Sequence, residues 1–194
     1  PLRGGRFDNV YLKEYFLKLD KKDNVVVLSP RGTEMPRYVD FGWVSGDKNL
    51  SVPGADSVWS VQGGNATVTP KNPVTLAWDN GQGLVFRRDI SVDDAYVMTI
   101  KQSVTNNSGR EVKLFPYGSV AQRSYPKDMV TNWLQHEGPI GYVGEELHEV
   151  KYGKLIKEGP QTAAGDKGWT GITEKYWLTA LVPPQGQAVT HNYS

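Results

Sequence analysis

One adjacent pair of residues has the types that acid/base catalysis requires, His136 and Glu137. A histidine and a carboxylate can transfer protons near neutral pH when both reach the same substrate atom. Neighbouring residues of a strand point to opposite faces, however, so this pair is poorly placed for that task. We therefore interpret His136 as a structural residue and predict no catalytic residue in the chain.

The residues that commonly bind metals are also arranged without a recognisable site. The three histidines, His136, His148 and His191, lack the short spacings of zinc ligands. The absence of Cys excludes disulfides, thiolate metal sites and thiol nucleophiles. Residues 20–24 resemble part of a calcium loop but lack its acidic spacing and closing glutamate, so we predict a solvated turn there. The sequence predicts neither a metal site nor a cofactor.

Composition limits the class of protein. The 22 Lys and Arg residues nearly balance the 21 Asp and Glu residues, so bulk charge indicates neither nucleic acid nor an anionic membrane as a partner. The 21 Gly and 12 Pro residues favour short strands joined by turns. No apolar run approaches the length of a membrane span. The chain begins without Met and stops inside a strand-like run, so we expect a piece of a longer protein.

Hydrophobic alternation predicts antiparallel strands in the middle of the chain. In Leu84–Val92 the apolar residues occupy alternate positions, so they share one face of the strand with Arg88. A strand is also predicted over Val74–Asp79. The Asn80-Gly81 dipeptide that follows it favours a type I′ hairpin turn into the next strand.

Turn signals recur at short, regular intervals after this hairpin. The predicted strands Leu84–Val92, Ala95–Thr105 and Val112–Ser124 form an antiparallel meander, and this regular spacing is typical of all-β sandwiches. We therefore predict one mainly antiparallel all-β sandwich domain over residues 1–194, with little helix.

The stretch Tyr176–Val182 is apolar or aromatic on both faces of a predicted strand. Strands without a solvated face lie inside a sheet, and seven residues before Pro183 are too few for a buried helix. We therefore predict that this is the central strand, on which the other strands pack. Trp177 lies near its middle and is predicted to belong to the core.

The segment Tyr125–Tyr152, which belongs to the irregular part Tyr125–Asp166, is the candidate for partner binding because exposed irregular backbone is where binding residues tend to collect. Its amphipathic side chains and charges of both signs are the composition of a reversible protein contact surface. The residues predicted to form a partner surface or groove are Tyr125, Trp133, His136, Tyr142 and Glu145. The alternative is a loop that only covers one end of the sandwich.

Local structure in and around this segment is predicted from its turn and strand signals. We expect a short helical turn after Asp128, strands near Gly141–Val143 and Leu147–Tyr152, and a flexible loop over Gly159–Gly168. Trp43, Trp59 and Trp133 lie outside the clearest strands, where they would either line a groove or fill the core.

Several motifs occur in the order in which a known family has them. They are Arg3-Gly4-Gly5-Arg6-Phe7, the run Trp78–Arg88, the turn Val104–Ser108, His136-Glu137-Gly138, and Gly168-Trp169 followed by Lys175-Tyr176-Trp177 and Pro183. Over nearly its whole length the chain resembles the large periplasmic domain of the YidC/Oxa/Alb family of bacterial membrane protein insertases.

The resemblance implies a fold and a role. The implied fold is a β-supersandwich of the galactose mutarotase-like type. The implied role is an accessory module at the periplasmic face of the inner membrane, tethered through membrane segments outside this sequence. The implied partners are Sec translocon accessory subunits of the SecD/SecF type and nascent membrane proteins. The groove that handles substrates in this family belongs to its membrane core, so no insertase residue is assigned here.

A carbohydrate-binding protein or mutarotase-like enzyme on the same fold is the alternative function, and a structural spacer is a third. Mutarotase chemistry needs a histidine acid and a carboxylate base that converge on one sugar ring. The sequence offers His136 without such a partner. We therefore predict a monomeric chain that is not an enzyme and binds no cofactor.

Overall fold

The computed structural model describes residues 2–95, 97–122 and 136–194. Over these residues strands are the predominant regular structure, the strand pairs of the four-stranded sheets are antiparallel, and one short helix is present. The predicted all-β, mainly antiparallel fold is therefore confirmed. The likeness to sugar mutarotases stays a prediction.

The elements are numbered in chain order. They are β1 (Val10–Phe16), β2 (Asn24–Leu28), β3 (Arg37–Ser45), β4 (Ser60–Gln62), β5 (Val74–Asp79), β6 (Leu84–Val92), β7 (Met98–Asn106), β8 (Leu114–Gln122), β9 (Gly138–Val143), β10 (Glu146–Glu149), α1 (Tyr152–Glu158), β11 (Gln161–Gly165), β12 (Gly168–Thr173), β13 (Leu178–Leu181) and β14 (Val189–Tyr193). The described helix, α1, has seven residues and is therefore far from the length of a membrane span.

The chain divides into two compact units. Unit 1 comprises the chain up to Phe7 together with Asp40–Gly118, and unit 2 comprises Asp8–Val39 together with Ser119–Ser194. Strands β3 and β8 pair with each other, and each is divided between the units. The prediction of a single domain over residues 1–194 stays a prediction.

Unit 1 is built on a four-stranded sheet in the order β4-β5-β6-β7. The predicted strands Val74–Asp79 and Leu84–Val92 are found with those bounds. Along β6 alternate residues are buried, and they include Leu84, Phe86 and Arg88. Trp43, Trp59 and Leu76 pack into the same core cluster. Alternation therefore predicted the buried face of β6 correctly.

The loop between β5 and β6 differs from the predicted type I′ turn. It spans residues 80–83, and positive φ angles occur at Gly81 and Gly83 rather than at two adjacent central residues. The Asn80 side chain explains the wider loop, because its Oδ1 accepts hydrogen bonds from the backbone N–H groups of Gln82 and Leu84 at 2.8 and 3.0 Å. The hairpin is confirmed and its predicted turn type is wrong.

The predicted three-stranded meander is also wrong in its last member. Strands β6 and β7 pair, but β8 pairs with β3, which precedes it by about seventy residues in the sequence. Alternation within a strand fixes which side chains share a face, whereas the choice of partner strand depends on distant parts of the chain.

Unit 2 contains a four-stranded sheet in the order β10-β9-β12-β13 and two ribbons, β1-β2 and β11-β14. The predicted central strand Tyr176–Val182 is only partly formed, as β13, which lies at the edge of its sheet. A turn closed by the hydrogen bond from Glu174 N–H to the Trp177 carbonyl takes Tyr176 and Trp177 out of the strand. Tyr176 is 74% exposed, so the prediction of a central strand is wrong.

Two other local predictions in unit 2 are corrected. The segment Leu147–Tyr152, predicted as a strand, contains the end of β10 and then the first residue of α1. The predicted flexible loop Gly159–Gly168 contains β11, which pairs with β14 from Gln161 to Gly165. The helical turn predicted after Asp128 lies outside the described residues.

Candidate functional site

A row of apolar side chains crosses three strands of the unit 2 sheet. Tyr142 of β9 pairs with Leu147 of β10 and with Trp169 of β12. Directly paired residues of antiparallel strands point to the same face, so these three side chains are neighbours. Tyr142 is 43% exposed, Leu147 is 59% exposed and Trp169 is half-buried. We call these three residues the Tyr142 row.

The strand register continues this exposed face onto β13. Thr173 pairs with Leu178, and Gly171 pairs with Ala180, which places Leu178 and Ala180 on the same face as Trp169. Both side chains are exposed. The face therefore presents apolar groups to solvent over all four strands.

The opposite face of the sheet is buried inside unit 2. Val143 and Gly141 are buried, and a Cβ atom built on Gly141 would overlap the Tyr193 hydroxyl. Tyr193 of β14 therefore packs where Gly141 leaves room. The ring of His148, on the same face of β10, stacks on Tyr193 with centroids 6.2 Å apart. Because this side is covered, the strand period of two leaves the Tyr142 row on the outer side.

The β9–β10 hairpin carries Glu145 at its turn, next to the Tyr142 row. Gly144 adopts a φ of 65°, which suits the first central residue of a type II′ turn. Its N–H donates to the Lys167 carbonyl at 3.0 Å, which fixes the turn against β12. Glu145 and Glu146 are both exposed there. An apolar row beside two carboxylates has the composition of a modest, reversible protein interface.

The remaining predicted site residues are placed as follows. His136 lies just before β9, and its Nε2 is 3.0 Å from the carbonyl oxygen of Pro139 in β9, so the half-buried ring has a partner three residues along the chain. Tyr125 and Trp133 lie outside the described residues. The structure thus brings Tyr142 and Glu145 onto one hairpin, and the binding role of all five residues stays a prediction.

The other two histidines belong to the buried side of unit 2. His191 of β14 is buried, and the burial lowers its pKa from the usual value of 6.5, as does the nearby His148. The described residues contain no group of three or more His, Asp or Glu side chains that could hold a metal ion.

Sequence reasoning placed Arg88 on an apolar face but assigned it no role. Its side chain is only 1% exposed, and Nη1 donates to the Gly5 carbonyl at 2.7 Å while Nη2 donates to the Phe41 carbonyl. The guanidinium lies over the Trp59 ring at 4.3 Å and near the Trp43 ring at 5.8 Å. We call these five residues the Arg88 centre.

The Arg88 centre holds the start of the chain in unit 1. The Gly4 N–H donates to the Ser57 carbonyl, and the Trp59 N–H donates to the Leu2 carbonyl. The first residues of the chain therefore pair with the residues just before β4. Gly5 has a φ of 62°, and a Cβ there would overlap Arg88 and lie 2.9 Å from Trp59 Nε1.

The role of the Arg88 centre is structural. Burial lowers the pKa of Arg88 to about 10, opposed by Asp40 and Tyr117, so the side chain stays cationic at neutral pH. Trp43 and Trp59 are buried, so of the two predicted alternatives they fill the core, and the alternative that they line a groove is wrong. In the sequence, the feature that indicates a buried arginine is a single charged residue, Arg88, among the alternating apolar residues of β6.

Comparison with known proteins gives one family. The family model described as YidC periplasmic domain matches residues 1–194. A protein of Jannaschia sp. (strain CCS1), named Membrane protein insertase YidC, is 41% identical over 198 residues that cover 96% of this chain and 32% of that protein.

Other proteins of the same name are similar to this chain to the same extent. Those of Methylobacterium radiotolerans and Granulibacter bethesdensis are 43% and 40% identical, with 97% and 99% of this chain covered. The matches cover 32% and 34% of those two proteins. The chain thus spans about a third of the length of these relatives.

Proposed function

Because the chain belongs to the family of YidC periplasmic domains, we propose that it is the accessory periplasmic module of a longer membrane protein insertase. In this role it assists the insertion and folding of inner-membrane proteins together with the Sec translocon. The name of these relatives, membrane protein insertase, supports a function without enzymatic chemistry. The continuous family match over residues 1–194 supports treating both units as one periplasmic domain.

The surface proposed for this role is the Tyr142 row with the adjacent Glu145 turn. The observation that carries the proposal is the register of β9, β10 and β12, which lines up three apolar side chains on the outer face of a sheet whose other face is buried. Aromatic side chains at the centre of an exposed patch are the usual anchors of protein interfaces. The proposed partners are apolar segments of nascent membrane proteins and accessory subunits of the SecD/SecF type.

The mutarotase-like alternative is not favoured. The family match concerns the periplasmic domain of an insertase, and the His136 ring lies against the carbonyl of Pro139 in β9. Mutarotase chemistry would also need a carboxylate base that converges with His136 on one sugar ring, and the sequence indicates no such partner for His136.

Photo-crosslinking in the full-length insertase tests the surface. A photoreactive phenylalanine analogue replaces Tyr142 or Leu147, and matched probes replace the exposed Lys101 of β7 and Lys113 before β8. We expect the two probes on the Tyr142 row to capture nascent chains or translocon subunits several times more often than the lysine-site probes. Capture at equal frequency from all four positions would overturn the proposal.

A folding control accompanies the crosslinking. Tyr142→Ser and Leu147→Ser should change the free energy of unfolding by less than about 0.5 kcal/mol, because exposed side chains contribute little to stability. If a probe next to the substituted residue no longer crosslinks while the stability of the variant is unchanged, the substitution has removed a contact with the partner and has not unfolded the domain. A loss of stability as large as that of a core substitution would instead mean that the row is part of the core.

A further inference from the structure

The turn of the β1–β2 ribbon presents two leucines to solvent. Leu17 is 63% exposed and Leu19 is fully exposed. The turn is nevertheless ordered by its own hydrogen bonds, from Leu17 N–H to the Asp23 carbonyl at 2.9 Å and from Lys21 N–H to the Lys18 carbonyl at 3.2 Å. Leucines held outward by an ordered turn contribute little to the core, and neighbouring exposed apolar side chains are typical of interaction sites. We call residues 17–23 the leucine turn.

The leucine turn is fixed in direction within unit 2. The register between β1 and β2 shifts from Leu12 to Phe16, and the Asn24 side-chain amide fills this irregular step. Its Nδ2 donates to the carbonyls of Leu12, Lys13 and Tyr15 at 3.0 to 3.3 Å. The Tyr15 ring meets the Trp177 ring edge-on at 5.1 Å. The turn therefore projects from an anchored ribbon.

The side chains around the leucines match the layers of a bilayer surface. Lys18, Lys21 and Lys22 flank the leucines on the turn and are exposed. Tyr11 and Tyr15, on the strand behind the turn, are about half exposed. Leucine suits the acyl region, tyrosine the interface, and lysine the phosphate layer, where its charge is attracted to anionic lipid.

The acidic residues of the turn limit the electrostatic attraction. Asp20 and Asp23 oppose the three lysines, so the net charge of the turn is one positive charge. Asp20 Oδ1 is directed at the turn itself, where it accepts a hydrogen bond from Lys22 N–H at 3.3 Å. We therefore expect insertion of the leucines to supply most of the affinity, and the lysines to add a preference for anionic lipid.

We propose that the leucine turn is a membrane contact that inserts Leu17 and Leu19 into the surface of an anionic bilayer. The family of periplasmic domains to which the chain belongs occurs in membrane protein insertases, which places a bilayer within reach of such a turn. One short apolar turn gives weak and reversible binding, so its effect is to orient a domain that is tethered by other means. This contact does not depend on the Tyr142 row.

A fluorescent label reports the insertion directly. The chain has no Cys, so Leu19→Cys provides a single site for an environment-sensitive nitrobenzoxadiazole label. With vesicles of equal parts phosphatidylglycerol and phosphatidylcholine, we expect a blue shift and an increase in emission from this label. The same label at Ile156→Cys, a residue 70% exposed on α1, should not change. An unchanged Leu19 label, or equal changes at both sites, would overturn the proposal.

Partition into sedimented vesicles tests the side chains. Leu17→Ser with Leu19→Ser should lower the partition coefficient at least about tenfold, the fold-change expected when buried leucine side chains are lost. Ile156→Ser, the matched control, should stay within about twofold of the unchanged chain, as exposed positions elsewhere do. Lys18→Gln should lower the partition coefficient about fivefold on these vesicles and leave it unchanged on pure phosphatidylcholine. Partition that is insensitive to the double serine change would refute the contact.

Discussion

The two four-stranded sheets of the molecule use their apolar residues in opposite ways. In unit 1, β6 buries Leu84, Phe86 and Ile90 against Trp43 and Trp59. In unit 2, β9 and β10 leave Tyr142 and Leu147 exposed. The chemical types are similar, so apolar character alone does not decide burial. What differs is whether another element of the same unit covers the face.

In unit 1 the residues that cover the inner face of β6 surround the cationic side chain of Arg88. Arg88 is stabilised in the core because the carbonyls of Gly5 and Phe41 and two tryptophan rings replace part of the water that its guanidinium loses. In unit 2, Tyr193 covers one side of the sheet and the Tyr142 row is left on the other. The buried apolar side chains of unit 1 therefore form a core around Arg88, whereas the exposed apolar side chains of the Tyr142 row are accessible for contacts.

The largest difference in the free energy of unfolding should appear between alanine variants of two tryptophans, Trp59 and Trp177. Trp59→Ala should lower the free energy of unfolding by about 3–5 kcal/mol, since a fully buried aromatic leaves a cavity. Trp177→Ala should cost only about 1–2 kcal/mol, because this half-buried ring mainly makes an edge contact with Tyr15. Urea unfolding of both variants measures the two losses. Equal losses would contradict the contrast and would restore Trp177 to the core position that its sequence predicted.

Alanine variants of two glycines test how much the Arg88 centre contributes to stability. Gly5 and Gly63 both have positive φ angles, but a Cβ on Gly5 would overlap Arg88, whereas a Cβ on Gly63 would meet nothing within 4 Å. Gly5→Ala should therefore destabilise by about 2–4 kcal/mol, from backbone strain and from displacement of the guanidinium.

The matched control, Gly63→Ala, should show the backbone strain alone, on the order of 1 kcal/mol. Thermal unfolding of the two variants side by side gives the difference that belongs to the Arg88 contact. If both alanine variants lose the same stability, Arg88 does not depend on the close approach of Gly5.

The smallest expected effect is a pH dependence in unit 2. Burial and the neighbouring His148 hold the pKa of His191 below the 6.5 of an unfolded chain. The unfolded state therefore binds the proton more tightly than the folded state. The stability that comes from neutral His191 is present above pH 6.5 and is lost as the pH falls towards the folded pKa.

Urea midpoints measured from about pH 8 down to about pH 5 test this dependence. We expect the midpoint of the unchanged chain to fall below pH 6.5, and His191→Gln to flatten that part of the curve. His148→Asn should reduce the fall, because it removes a neighbour that lowers the pKa of His191. A curve for His191→Gln that runs parallel to that of the unchanged chain would assign the pH dependence to other groups.

Part of the candidate surface could be predicted from the sequence. Tyr142 and Glu145 were chosen for their amphipathic and charged character, and both lie exposed on one hairpin. Leu147 and Trp169 were missed as members of that surface. They join Tyr142 only through the pairing of β9 with β10 and β12, and cross-strand register cannot be obtained from one strand alone.

The bounds and the buried face of β6 could be predicted from the sequence alone, because both depend on alternation within nine consecutive residues. The sequence also identified the family, since the motifs occur in the family's order. The tertiary structure was needed to show that β8 pairs with β3 and that Arg88 joins Gly5 to β6. Both contacts join groups far apart in the chain, whose approach is governed by the burial and hydrogen bonding of the whole unit rather than by any local pattern.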